Sequence, residues 1–131
     1  MDQVARGTFE VSMEPLSFEG QPEGSKLGRL SIEKTLVGDL DASTRGQMLS
    51  AMTATEGSAG YVALERVEGA LHGRAGTFVL QHTGCMDRGK PGLLVQVVPD
   101  SGTDELEGLA GTFELSVADG EHTYEFTYSL P

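Results

Sequence analysis

The sequence predicts an all-β fold, a single antiparallel eight-stranded barrel over residues 1–131, and three observations carry that prediction. Eighteen glycines and five prolines punctuate short apolar runs, the spacing of a chain with frequent turns. Within the runs, apolar and polar residues alternate with period two, as in strands with one buried face. Most gaps between runs are hairpin-short, which suits an up-and-down meander. Closing the sheet then removes the edge strands that invite aggregation.

The elements follow in order. Gly7 to Met13 places Phe9, Val11 and Met13 on one face. Residues 15–28 are rich in Gly, Pro and acids and are read as a loop with an edge segment. Leu30 to Val37 aligns Leu30, Ile32, Lys34 and Leu36, and Gly38-Asp39 turns the chain. Gly46 to Ala54 carries Met48, Ser50 and Met52 on one side. Ser58 to Leu71 is a long strand that His72-Gly73 turns into Gly76 to Met86. After a turn at Asp87 to Gly92, Leu93 to Val98 is apolar on both faces, so an outer cover by a loop or a second subunit is expected. Thr103 to Leu109 suits one short helical turn with Thr103 as its N-cap. Gly111 to Val117 and Thr123 to Leu130 form the last hairpin.

Charge and motifs exclude several function classes. Twenty acids against nine bases give a net charge of −11, which repels phosphate backbones and anionic bilayers. Neither a nucleic-acid nor a membrane partner is expected. No apolar run is long enough for a transmembrane helix, and the opening MDQVARGTFEV lacks the apolar stretch of a secretory signal. A cytoplasmic location is expected. The one cysteine, Cys85, cannot form an intramolecular disulfide or a four-cysteine zinc site, and it is read as a small, at least half-buried hydrophobe. The chain has no phosphate-binding Gly-Lys-Ser/Thr motif, no dinucleotide glycine fingerprint and no nucleophile elbow. His72, His82 and His122 lack zinc-ligand spacing. No metal and no other cofactor is expected.

Several motifs occur together. They are Glu33-Lys34-Thr35, Gly38-Asp39-Leu40, Leu64-Glu65-Arg66, the run from Gly73 to Phe78, Gln81-His82-Thr83-Gly84, and Val98-Pro99-Asp100-Ser101-Gly102-Thr103-Asp104-Glu105-Leu106. In these the chain resembles the bacterial family named domain of unknown function 3224, over nearly its whole length. That family resembles the allene oxide cyclase barrel in fold, so the resemblance implies eight strands around an internal cavity. It supplies no activity; related barrels include cyclases that fold a reactive apolar chain, an analogy of fold alone. Asp100, Asp104, Cys85-Met86 and Leu93-Leu94-Val95 depart from the family pattern, which is compatible with a cavity reshaped for a different ligand.

Polar residues on apolar strand faces are the candidate site. Lys34 shares a face with Leu30, Ile32 and Leu36, and Glu65 with Tyr61, Ala63 and Val67. His82 aligns with Phe78 and Leu80, and Gln96 with Leu94 and Val98. Tyr124 and Tyr128 flank Phe126. If these faces point inward, an acid, bases, an amide and phenols stand among hydrophobes, the make-up of a ligand pocket. Glu65, His82 and Tyr124 are the catalytic candidates. Lys34, Met48, Met52, Tyr61, Phe78, Gln96, Phe126 and Tyr128 are the ligand-binding candidates. The structural alternatives are a buried Glu65–Lys34 ion pair, a core histidine at 82 and tyrosines that only pack.

The functional expectation is a barrel that binds a small apolar molecule. It acts either as a cofactor-independent cyclase or isomerase on a flexible polyketide- or lipid-like substrate, or as a lipocalin-like carrier without catalysis. A third reading is an interaction module filled by its own side chains. A homo-oligomer is compatible with all three.

Overall fold

The computed structural model describes residues 2–131. Eight antiparallel strands pair in chain order and the last closes on the first: β1 (Gln3–Leu16), β2 (Leu27–Gly38), β3 (Leu40–Met52), β4 (Ala59–Leu71), β5 (Arg74–Asp87), β6 (Lys90–Val97), β7 (Ala110–Ala118) and β8 (Glu121–Ser129). The all-β barrel read from the sequence is therefore the fold. A 3-10 turn at Asp104–Leu106 is the one helical element among the described residues.

Three connections have the same chemistry. His72-Gly73, Arg88-Gly89 and Asp119-Gly120 are two-residue turns with positive φ at both positions. That backbone twist matches the twist of the strands it joins. Glycine takes the second position without a Cβ penalty. Each turn fixes the register of its hairpin; His72-Gly73, for example, sets Ala63 opposite His82 and Tyr61 opposite Gly84.

The strands are longer than their hydrophobic signal. β1 runs past Gly7 and Met13 at both ends, so the expected loop shrinks to residues 17–26. β3 begins at Leu40, six residues before the predicted Gly46. Its inward side there is Leu40, Ala42 and Thr44, all buried, and small or hydroxyl side chains leave little alternation to read. On β6 the predicted parity is reversed. Val95 and Val97 are buried, whereas Gln96 and Leu94 face outward with Leu94 48% exposed. A run apolar on both faces carries no period to fix its orientation.

One end of the barrel is filled. Phe126 stacks on Phe113 at a centroid distance of 4.1 Å and on Tyr128 at 5.2 Å, with Phe78 on its other side at 6.0 Å. Leu40, Leu71, Leu106 and Leu109 close the floor, each at most 2% exposed. Leu106 and Leu109 come from the segment after β6, which leaves β6 and β7 paired only at Val95–Phe113 and Gln96–Thr112. The segment is tied to β5 instead. Val98 N–H and Thr103 N–H donate to Val79 and Thr77 carbonyls, while Ser101 and Thr103 hydroxyls accept from Val79 and Thr77 N–H. Thr103 is the N-cap residue of the 3-10 turn, as the sequence suggested, and its carbonyl accepts from Leu106 N–H, but its hydroxyl makes no capping hydrogen bond because it is committed to the neighbouring strand.

The aromatic stack anchors this end. Phe126→Ala is expected to lower unfolding free energy by about 3–5 kcal/mol. Gln96→Ala, on the outer face, is expected to change it by less than about 0.5 kcal/mol. Urea denaturation of the two variants checks the contrast.

Candidate functional site

Midway along the barrel, below its open end, four strands aim polar side chains at one point. Glu65 on β4 is 1% exposed. Its Oε1 accepts from Lys34 Nζ on β2 at 3.2 Å and lies 2.8 Å from His82 Nε2 on β5. Its Oε2 accepts from the Thr44 hydroxyl on β3 at 2.5 Å. The ammonium of Lys34 also lies 5.2 Å from the centre of the Phe9 ring, a cation–π contact in a desolvated place. On β3, Thr44 stands opposite Lys34, and Gly46 brings the backbones of β3 and β4 close together beside Glu65. Gly46 lies opposite Glu65, and a Cβ there would fall 2.0 Å from the Leu64 carbonyl oxygen. Lys34 reaches across β3 to Glu65.

The electrostatics follow from this shell. Burial pushes the Glu65 pKa up, but the His82 hydrogen bond, the Lys34 charge and the Thr44 hydrogen bond together outweigh it and hold the carboxyl below its ordinary value. Glu65 is thus a carboxylate at neutral pH. A carboxylate only accepts, so His82 Nε2 carries a proton toward it. The other ring nitrogen, Nδ1, lies 3.4 Å from the Tyr61 hydroxyl. Burial and the Glu65 charge both raise the Tyr61 pKa, so this phenol stays protonated.

Tyr61 leads to open space. A recess of about 440 Å³ at the barrel mouth is lined by Leu30, Met48, Ser50, Met52, Tyr61, Met86 and Leu93, among others. No charged residue lines it. Gly84 makes room for the Tyr61 ring, since a Cβ there would lie 2.3 Å from the ring edge. Beneath Tyr61, a small void of about 10 Å³ lies between Phe9, Lys34, Glu65 and Phe113, among others.

The family described as protein of unknown function (DUF3224) matches residues 5–128. The chain belongs to this family. A crystal structure of a DUF3224 protein with unknown function from Shewanella oneidensis MR-1 is 45% identical, with a TM-score of 0.94, covering 100% of this chain and 99% of that one. No curated protein matches.

This DUF3224 chain distributes the sequence-selected residues among four settings. Glu65, His82 and Lys34 meet in the buried cluster. Met48, Met52 and Tyr61 line the mouth, Met52 at its exposed rim. Phe78, Phe126, Tyr124 and Tyr128 belong to the packed end and reach no open cavity. The Tyr124 hydroxyl accepts from Leu40 N–H and lies 3.0 Å from the Val37 and Leu40 carbonyl oxygens, clasping the β2–β3 turn. The Tyr128 hydroxyl meets His72 Nδ1 and Gln3 Oε1. Gln96 lies outside the barrel, so it cannot line the interior. Cys85, expected at least half-buried, is exposed on the outer parity of β5. His72 and His122 stay apart from His82, and among the described residues no His, Cys, Asp or Glu cluster is placed to hold a metal ion.

Thr44, Leu30, Ser50, Met86 and Leu93 were not selected from the sequence. Thr44 carried a signal in its inward parity between Ala42 and Gly46 on β3. The mouth residues sit at strand ends, where alternation fades and only the assembled rim defines a surface.

Two pH effects follow. Glu65 contributes stability that is present above about pH 4.5 and lost as pH falls through its lower folded pKa. Glu65→Gln is expected to flatten that acid limb in urea melts and to cost about 3–5 kcal/mol at neutral pH, because Lys34 is left buried without its counter-charge. At the alkaline side, all three tyrosines have pKa values raised above 10 by burial. The unfolded chain ionises first, so folded stability falls as pH rises above about 10. Absorbance titration, free of tryptophan interference, should show no phenol ionising before its unfolded counterpart.

Proposed function

We propose that this protein binds a small, neutral, mostly apolar molecule in the recess at the barrel mouth, with a polar group of the ligand meeting the Tyr61 hydroxyl. The observation that carries this reading is the recess itself. It is about 440 Å³, within the range of small-molecule sites, and it is apolar throughout except for a few groups such as Ser50 and Tyr61.

Charge narrows the ligand. No Lys or Arg lines the recess, and the chain as a whole carries −11. A carboxylate or phosphate would lose hydration there and gain no partner. A neutral hydroxyl-bearing molecule loses little and can donate to the Tyr61 oxygen, and a neutral carbonyl can accept from the Ser50 hydroxyl, which also lines the recess. Methionines at 48, 52 and 86 supply flexible walls that adapt to shape.

Within this reading, catalysis as a cofactor-independent isomerase or cyclase is favoured over simple carriage by one feature. The polar contact at the floor is not an isolated phenol but the end of a hydrogen-bonded chain running to a buried carboxylate.

Nile red, a neutral apolar dye, tests the binding. It should bind the wild-type protein with a blue-shifted, enhanced fluorescence. Leu93→Arg, at a position 49% exposed and so tolerated by the fold, sets a charge across the mouth and should weaken binding at least about tenfold, more than 1.4 kcal/mol. Equal binding by the two proteins would place the dye elsewhere and remove the support for the recess.

A further inference from the structure

We propose that Tyr61, His82 and Glu65 form a proton relay that acts on an enolisable neutral carbonyl compound held in the mouth recess, moving a proton from one carbon of the substrate to another. The proposal rests on the binding reading above and names its substrate class.

Access carries the argument. Tyr61 lines the recess, but His82 and Glu65 do not. His82 is 3% exposed and Glu65 is 1% exposed. A proton from a bound molecule therefore reaches the imidazole through the Tyr61 oxygen. The order of groups suits that passage. Glu65, held as a carboxylate by Lys34 and Thr44, fixes the proton of His82 on Nε2. The lone pair of Nδ1 is then turned toward the Tyr61 hydroxyl, 3.4 Å away. Such contacts tighten in a substrate complex. This is the base–orienter arrangement of a catalytic triad, with a phenol in the outermost place.

The step balances as follows. The C–H bond next to the substrate carbonyl breaks and its electron pair enters the enolate. Its proton goes to the Tyr61 oxygen as the Tyr61 proton goes to His82 Nδ1. The imidazolium so formed is paired with Glu65. The proton then returns by the same route to a different carbon, or to the same one, and the protein is restored. Because one wired group serves the recess, the proton given back is the proton taken or its solvent-exchanged equivalent. That suits isomerisation, not hydrolysis or redox chemistry. The raised Tyr61 pKa means that a free phenolate does not accumulate, so the two transfers are coupled.

β-Tetralone, a neutral bicyclic ketone with an acidic C–H, is the probe. In deuterium oxide buffer, proton NMR reads loss of that C–H, and saturation-transfer signals read binding in the same sample. Wild type should speed exchange about 100-fold over buffer. Tyr61→Phe, which also loses one hydrogen bond to the ligand, should return exchange to the buffer rate while weaker saturation-transfer signals still report bound ketone, and His82→Gln should return exchange to the buffer rate with the ketone still bound. Exchange no faster than buffer with the ketone bound would overturn the relay and leave the binding reading standing. Equal exchange by wild type and Tyr61→Phe would also overturn the relay. Absence of ketone binding to wild type would overturn both. Nitrogen NMR of wild-type His82 is independent of any variant's folding. It should show Nε2 protonated and Nδ1 bare at neutral pH, and a protonated Nδ1 would overturn the relay.

Discussion

Glu65 is a carboxylate with almost no access to water, and the arrangement of the barrel around it follows from that one constraint. An uncompensated charge in this position would cost several kcal/mol. It is tolerated because three strands deliver donors to it: Lys34 from β2, Thr44 from β3 and His82 from β5. Each of those residues is placed by strand pairing, so the cluster depends on register. The missing side chain at Gly46 lets β3 approach the β4 backbone at Glu65, where a Cβ would fall 2.0 Å from the Leu64 carbonyl oxygen.

The cluster also divides the interior into two regions with different chemistry. Below it, stacked aromatics and leucines fill the barrel and leave no room for a ligand. Above it, the walls supplied by β2 to β6 are mostly apolar, and the space between them is open. A buried charge placed deep in the packed end would be only a structural ion pair. Placed at the boundary, it orients the proton of His82 and, through His82, the hydrogen bonding of a phenol that lines the open recess. The tyrosines at the packed end show the contrast. Tyr124 and Tyr128 spend their hydroxyls on backbone and side-chain partners that lock turns and termini.

Much of this was legible before any coordinates. Period-two alternation placed Lys34, Glu65 and His82 on inward faces, since residues that share a face with Ile32, Val67 and Leu80 share their burial. The two-residue turn at His72-Gly73 also fixes which residues of β4 and β5 face each other. It makes Ala63 face His82 and Leu80 face Glu65, so Glu65 and His82 are diagonal neighbours on the inner face. By the same register Tyr61 faces Gly84. The early half of β3 was missed because Ala42 and Thr44 are small or polar, and Gln96 was turned the wrong way because Leu93 to Val98 has no period to read.

The sequence by itself determined the class of fold, the number and direction of strands, and which parity of most strands turns inward. Those properties depend on local alternation and turn chemistry, which neighbouring residues carry. Only the tertiary structure decided which inward residues are packed and which meet open space. It also decided that Lys34, 31 positions from Glu65, closes an ion pair with it, and that a segment after β6 plugs one end and leaves the other open. Those outcomes follow from closure of the sheet and the height of each side chain along the barrel axis, which no single strand encodes.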